Sequence, residues 1–223
     1  MVKHFEDNNF FDQYLDSYIT RYTDNSIDTY VSYLNNKIDY SNIDLLRKQA
    51  LESNKAAFDY LFSENIDILY PHHIQNVAGY INKYSGFSRG YRKTEVAIFR
   101  DVDFEPVPAP SIPMKMICLF DNYHNIMDDT NYFKKEASFH LQMVRIQPFE
   151  DSNKRIVQLI TSYNLIKNGY FPIIIKLEDQ DKYLGYISNN NTLGMASLIK
   201  EIVKKETKYV DELYNSYKIK RIR

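Results

Sequence analysis

The chain has 223 residues, of which 44% are hydrophobic and 26% charged, and a formal net charge of -1. That length suits one domain, or one domain with a helical extension, and supplies enough apolar material for a real core. The near-neutral balance gives no support to nucleic acid or an anionic membrane as partner, and no apolar run is long enough to span a bilayer.

A single cysteine, Cys118, excludes an intrachain disulfide, and its apolar surroundings from Met114 to Phe120 predict a buried thiol. The opening residues, Met-Val-Lys-His-Phe-Glu, carry no apolar stretch of the signal-peptide kind. The expected location is the cytoplasm, with export as an effector left open. The basic end, Lys218 to Arg223, reads as a solvated helix end.

Helical periodicity dominates the first third. Phe10, Phe11, Tyr14, Leu15, Tyr18 and Ile19 recur at spacings of three and four, so they share one helix face. A second helix is expected to start at Ser26. A third follows Ser41, with Ile43, Leu46, Leu51, Phe58 and Leu61 among its apolar set. Pro71 suits the first turn of the next helix, which runs through Ile74, Val77, Ala78 and Ile81.

Between Ser85 and Pro113 the pattern changes to two Gly, four Pro and the alternation Val96-Ala97-Ile98-Phe99. This predicts a short β-hairpin reaching Phe104, with a Pro-rich exit. Helices are expected again over 112–126, 129–146 and 153–167, the last stopped by Asn168-Gly169. Pro148 makes residues 147–152 a loop. After Ile173-Ile174-Ile175, two more helices close a mainly α chain.

The chemistry concentrates in Gln147-Pro-Phe-Glu-Asp-Ser-Asn-Lys-Arg155, a polar loop between two helices. It places the backbone N–H groups of Ser152, Asn153 and Lys154 at a helix N-terminus, where anions bind readily. Lys154 and Arg155 add positive charge, and Asp151 offers a carboxylate for a divalent metal that bridges phosphates. On physics alone, a phosphate site and an ordinary capped helix start both remain open.

The stretch resembles the Fic motif, HPFx(D/E)GNGR, whose Doc-type variant ends in NKR. Pro148, Phe149, Asp151, Asn153 and Arg155 match, and Lys154 matches the Doc-type ending. Ala137, His140 and Ile146 follow the Ala-x-x-His…Ile pattern of the preceding family helix. Gly90-Tyr91-Arg92…Val96-x-Ile98 is similar to the approach to the family's flap, and Pro106, Pro108, Ile112, Pro113 and Met114 to its exit. Leu177-Glu178-Asp179…Tyr183 resembles the acidic turn downstream. The likeness to the Fic/Doc family covers about 71–203. It implies a Fido fold: a helical core with a small β-hairpin flap, an N-terminal helical extension over 1–70, and a C-terminal helix with a basic tail over 204–223.

The resemblance also implies a function. In the family, ATP (or another nucleotide) with Mg2+ binds the motif loop, and a protein target docks on the flap by β-addition. Carried over, Phe149, Ser152, Asn153, Lys154 and Arg155 would bind nucleotide, Asp151 the metal, and Val96, Ile98 and Phe99 the target. The motif histidine takes the proton of the target hydroxyl; here Gln147 occupies its place, and a carboxamide cannot accept that proton. Ser152 replaces a motif glycine, and Gln158 stands where many members carry a second arginine. Leu51-Glu52-Ser53-Asn54 echoes an inhibitory motif, which makes Glu52 a candidate relic lacking its arginine partner. Three functions follow as alternatives. One is a nucleotide-binding descendant of AMP-transferases with impaired catalysis. Another is an active transferase of altered chemistry, with Glu150 or a target group as base. The last is a protein-binding module that uses the flap alone.

Overall fold

The computed structural model describes residues 7–33, 42–63, 66, 68–96, 102–125 and 131–222. Its helices are α1 (Asn8–Tyr33), α2 (Ile43–Ser63), α3 (Pro71–Ile81), α4 (Ile112–Asn125), α5 (Tyr132–Ile146), α6 (Asn153–Lys167), α7 (Gln180–Ser188) and α8 (Thr192–Ile222). The mainly α class of the sequence reading holds.

The centre of the fold is α6. Every residue from Ile156 to Ile166 is buried, so this helix is covered on all sides, as the apolar Ile156-Val157…Leu159-Ile160 pattern demands. It ends where Gly169 takes a φ of 79 and donates its N–H to the Ile166 carbonyl at 2.9 Å. Around it, α5 packs on α6, α4 and α8, and α3 packs on α6 and α2. The extended run after Phe171 is tied to helices through side chains. Tyr18 donates to the Ile173 carbonyl at 2.8 Å, and Asn25 to that of Ile175 at 2.8 Å.

Two expectations need correction, and a third falls largely outside the described residues. First, α1 is one continuous helix, and no new helix starts at Ser26. Tyr14, Tyr18, Tyr22 and Ile27 keep one face buried past that point. Second, Cys118 is exposed. The buried face of α4 is Ile112, Met116, Leu119 and Phe120, which turns Cys118 outward with Met114 and Ile117. Third, the β-hairpin flap is not seen. The described residues contain no strand, Val96 and residues 102–108 are irregular, and Ile98 and Phe99 lie outside the described residues. The irregular exit is held by side chains. Arg145 stacks 4.6 Å over the Phe104 ring and donates to the Ile187 carbonyl at 2.7 Å.

Candidate functional site

The site is the turn between α5 and α6. Gln147 caps α5 in the left-handed conformation, φ 49, which reverses the chain, and Pro148 prevents the helix from resuming. Phe149 is fully buried beside Tyr91, ring centroids 5.8 Å apart, and pins the turn to the core. Ser152 is again left-handed, φ 67, and α6 starts after it with no side chain capping its first turn. Such a start binds anions.

Asn153 ties the turn together. Its Oδ1 accepts the Phe149 N–H at 2.9 Å, while its Nδ2 donates to the Phe149 carbonyl and to Gln147 Oε1, both at 2.8 Å. These bonds orient both carboxamides. Because Asn153 meets Gln147 with its amino group, Gln147 answers with its oxygen. Gln147 keeps its NH2 group as a donor and one lone pair on its oxygen as a further acceptor, and neither is basic enough to take a proton from a hydroxyl.

Arg92 grips the same turn from outside. Its side chain is fully buried, its backbone N–H donates to the Pro148 carbonyl at 2.9 Å, and its Nε donates to that of Gln147 at 2.7 Å. The other nitrogens donate to the carbonyls of Thr94, at 2.8 Å, and Val107. Glu95 faces Arg92 at 3.3 Å and accepts the Ala109 N–H at 3.0 Å. One cation therefore binds both ends of the expected flap to the motif turn.

On the α6 side, the Ser152 hydroxyl donates to Asn82 Oδ1 at 2.6 Å and accepts from Arg155 Nη2. Arg155 also faces Asp151 at 3.5 Å, and its carbonyl accepts the Tyr22 hydroxyl at 2.8 Å. Asp151 and Glu150 are exposed, the latter accepting the Ser88 N–H at 3.4 Å. Lys154 is half-buried, and burial holds its ammonium below the usual range, partly offset by Asp151.

The structure thus gathers Gln147, Phe149, Asp151, Ser152, Asn153, Lys154 and Arg155 in one turn. Glu52 is engaged with another cation: it is exposed on α2 and pairs with Lys83 at 2.7 Å, a hydrogen bond that holds its carboxyl below the usual range. Gln158 is buried in α6. Sequence reasoning missed Asn82 and Tyr22, and saw Arg92 only as part of a flap pattern. The C-cap place of Asn82 after α3 was the one local hint available.

Residues 66–165, which include this turn, match the Fic/DOC family model. Over those residues the chain is similar to the Fic/DOC family. It is 27% identical over 123 residues to the protein adenylyltransferase Fic of Nematostella vectensis, covering 54% of this chain and 28% of that protein. It is equally similar to the one from Aedes aegypti over 130 residues, 56% of this chain and 24% of the relative. The match therefore spans about a quarter of these relatives' length. A Fic domain-containing signaling protein from Bacteroides thetaiotaomicron superposes with a TM-score of 0.70 at 18% identity, covering 86% of each chain. A Fic family protein from Desulfovibrio desulfuricans superposes at 0.65 and 17% identity, covering 89% of this chain and 68% of that one. At such identities the likeness shows the Fic fold. No described helix is long and apolar enough to cross a membrane.

Proposed function

We propose that this Fic domain binds a nucleoside triphosphate with Mg2+ and belongs to the AMP-transferase lineage, with transfer weak or lost. The observation that carries the reading is that a carboxamide, Gln147, held by Asn153 at 2.8 Å, stands where the motif has its base: its oxygen can accept hydrogen bonds but is far too weak a base to take a hydroxyl proton. A target hydroxyl that attacks phosphorus must give up its proton, and losing the base typically costs about a hundred- to ten-thousandfold in rate. His140 offers no substitute. Its ring nitrogens are engaged at 2.9 Å with Thr161 and Tyr183, and burial depresses its imidazole to about 3. It is neutral and closed in.

The binding half of the site fits a nucleotide. The uncapped start of α6 and Lys154 suit phosphate oxygens, and Arg155 adds a guanidinium whose Nε and Nη1 have no partner among the described residues. Asp151 is the exposed carboxylate for Mg2+, an ion that is held through one or two carboxylates plus phosphates and water. Bound ATP supplies the electrophilic phosphorus; Gln147 orients a hydroxyl by donating to it.

Replacing Gln147 by His tests this. With α-labelled ATP, the Gln147→His variant should label itself or lysate proteins about a hundred- to ten-thousandfold faster than the unaltered chain. An unchanged rate in a folded variant that binds nucleotide would contradict a merely missing base. Label arriving from γ-labelled ATP instead would favour phosphate transfer.

A further inference from the structure

We propose that Ser152, which replaces a glycine of the Fic motif, is a positioning residue: anchored on Asn82, its hydroxyl aims Arg155 at an anionic phosphate ligand. This rests on the nucleotide reading above.

Ser152 sits at φ 67, a conformation glycine adopts freely and other residues rarely. A serine there calls for a structural reason, because nothing about the backbone favours it. The reason on the page is its hydroxyl. Buried with the residue, it lies 2.6 Å from Asn82 Oδ1 and accepts from Arg155 Nη2. The direction of the relay is forced. A guanidinium can only donate, so Ser152 accepts from Arg155 and sends its own proton to Asn82. Asn82 is a firm anchor, buried at the C-cap of α3 with its N–H on the Ala78 carbonyl. Its Nδ2 is buried without a partner among the described residues. The carboxamide thus leaves a buried donor unmatched while its oxygen serves Ser152.

The consequence falls on the other edge of Arg155. Nη2 is taken by Ser152, with Asp151 3.5 Å away, whereas Nε and Nη1 have no partner among the described residues. A guanidinium held by one corner presents a fixed fork, the shape that meets two phosphate oxygens at once. It has less rotamer freedom to lose on binding than a loose one. A glycine at 152 would leave Arg155 without this guide.

Calorimetric titration with MgATP of the unaltered chain, Ser152→Gly, Arg155→Ala and the double variant separates the ideas. Glycine is at ease at this φ, so Ser152→Gly should fold. Its affinity should fall about three- to tenfold, and in the Arg155→Ala background the same change should matter less than twofold. Equal or tighter binding by Ser152→Gly, or the same loss in both backgrounds, would overturn the proposal. A second arm needs no nucleotide. The 15N relaxation of the Arg155 Nε–H group should report an ordered side chain in the unaltered chain and a mobile one in Ser152→Gly and Asn82→Ala. Equal mobility in all three would overturn the link. Failure of the unaltered chain to bind MgATP would defeat the nucleotide reading, while the relaxation arm still decides whether Ser152 holds Arg155.

Discussion

Two sets of polar side chains lie along α5 and α6, and they are finished to different degrees. In the interior, Glu136 accepts from Tyr123 and, at 3.1 Å, from Asn164, while His140 bridges Thr161 and Tyr183. All four acceptor or ring atoms of this pair are spent on neighbouring side chains, and both residues are fully buried. At the end of α5, the turn 147–155 is just as heavily bonded, yet its bonds leave donors over: the Gln147 amide, two nitrogens of Arg155 and the uncapped start of α6. Polarity alone therefore does not mark the site. Unspent donors at a half-exposed edge distinguish the candidate site, whereas the buried histidine on the same helix is bonded into the interior.

The comparison can be broken most forcefully through Arg92, whose bonds hold the motif turn in place. Arg92→Ala strips partners from the carbonyls of Gln147, Thr94 and Val107 at once. We expect a loss of roughly 3–5 kcal/mol. For a chain of this size each kcal/mol lowers Tm by about 2–4 °C, so calorimetry should show a drop of roughly 6–20 °C. A drop under 2 °C would mean the turn is held by other means.

The interior set is probed through Glu136. Burial pushes its carboxyl up to about 7, against the hydrogen bonds from Tyr123 and Asn164 that favour ionisation. The folded value lies above the unfolded one, so the neutral acid is the form folding prefers. Its favourable effect is complete below the unfolded value of 4.5, declines as pH rises, and is gone above about 7. Urea unfolding at several pH values should show the stability gap between the Glu136→Gln variant and the unaltered chain moving by about 3 kcal/mol in the variant's favour between pH 4.5 and 8. A gap that stays flat would place an ionised carboxylate in that cluster.

The smallest effect is expected at Glu52. Its exposed pair with Lys83 contributes little, so Glu52→Ala should leave Tm within about 1 °C. In the Gln147→His background it should change the labelling rate less than about twofold, because Glu52 is already paired with Lys83 and Gln158 carries no charge to draw it away. A large rise in rate would reinstate Glu52 as an inhibitor.

Much of the fold was legible because its signals are local. Pro71 opens α3, Gly169 closes α6, and the apolar spacing of α1 and α6 reports their burial directly. Ser26 misled because a residue typed as a helix start also fits mid-helix when its neighbours, Tyr22 and Ile27, stay on the core face. Cys118 was misread by neighbourhood in place of phase: it lies two residues from buried Met116, on the far side of α4. The motif residues could be named from the sequence, but the bonds that hold them could not. Arg92 to Gln147, Asn82 to Ser152 and Tyr22 to Arg155 join segments 55, 70 and 133 residues apart. No periodicity encodes such pairings, since they arise only when helices distant in sequence pack together.

The central claim is that the motif turn still binds a nucleotide although its base is gone. Calorimetric titration of the purified chain with ATP and magnesium, against an Asp151→Ala/Arg155→Ala variant as blank, tests it most directly. The account predicts saturable binding that the blank loses, with at most weak labelling by α-labelled ATP under the same conditions. No binding by the folded, unaltered chain, or equal binding by the blank, would contradict it.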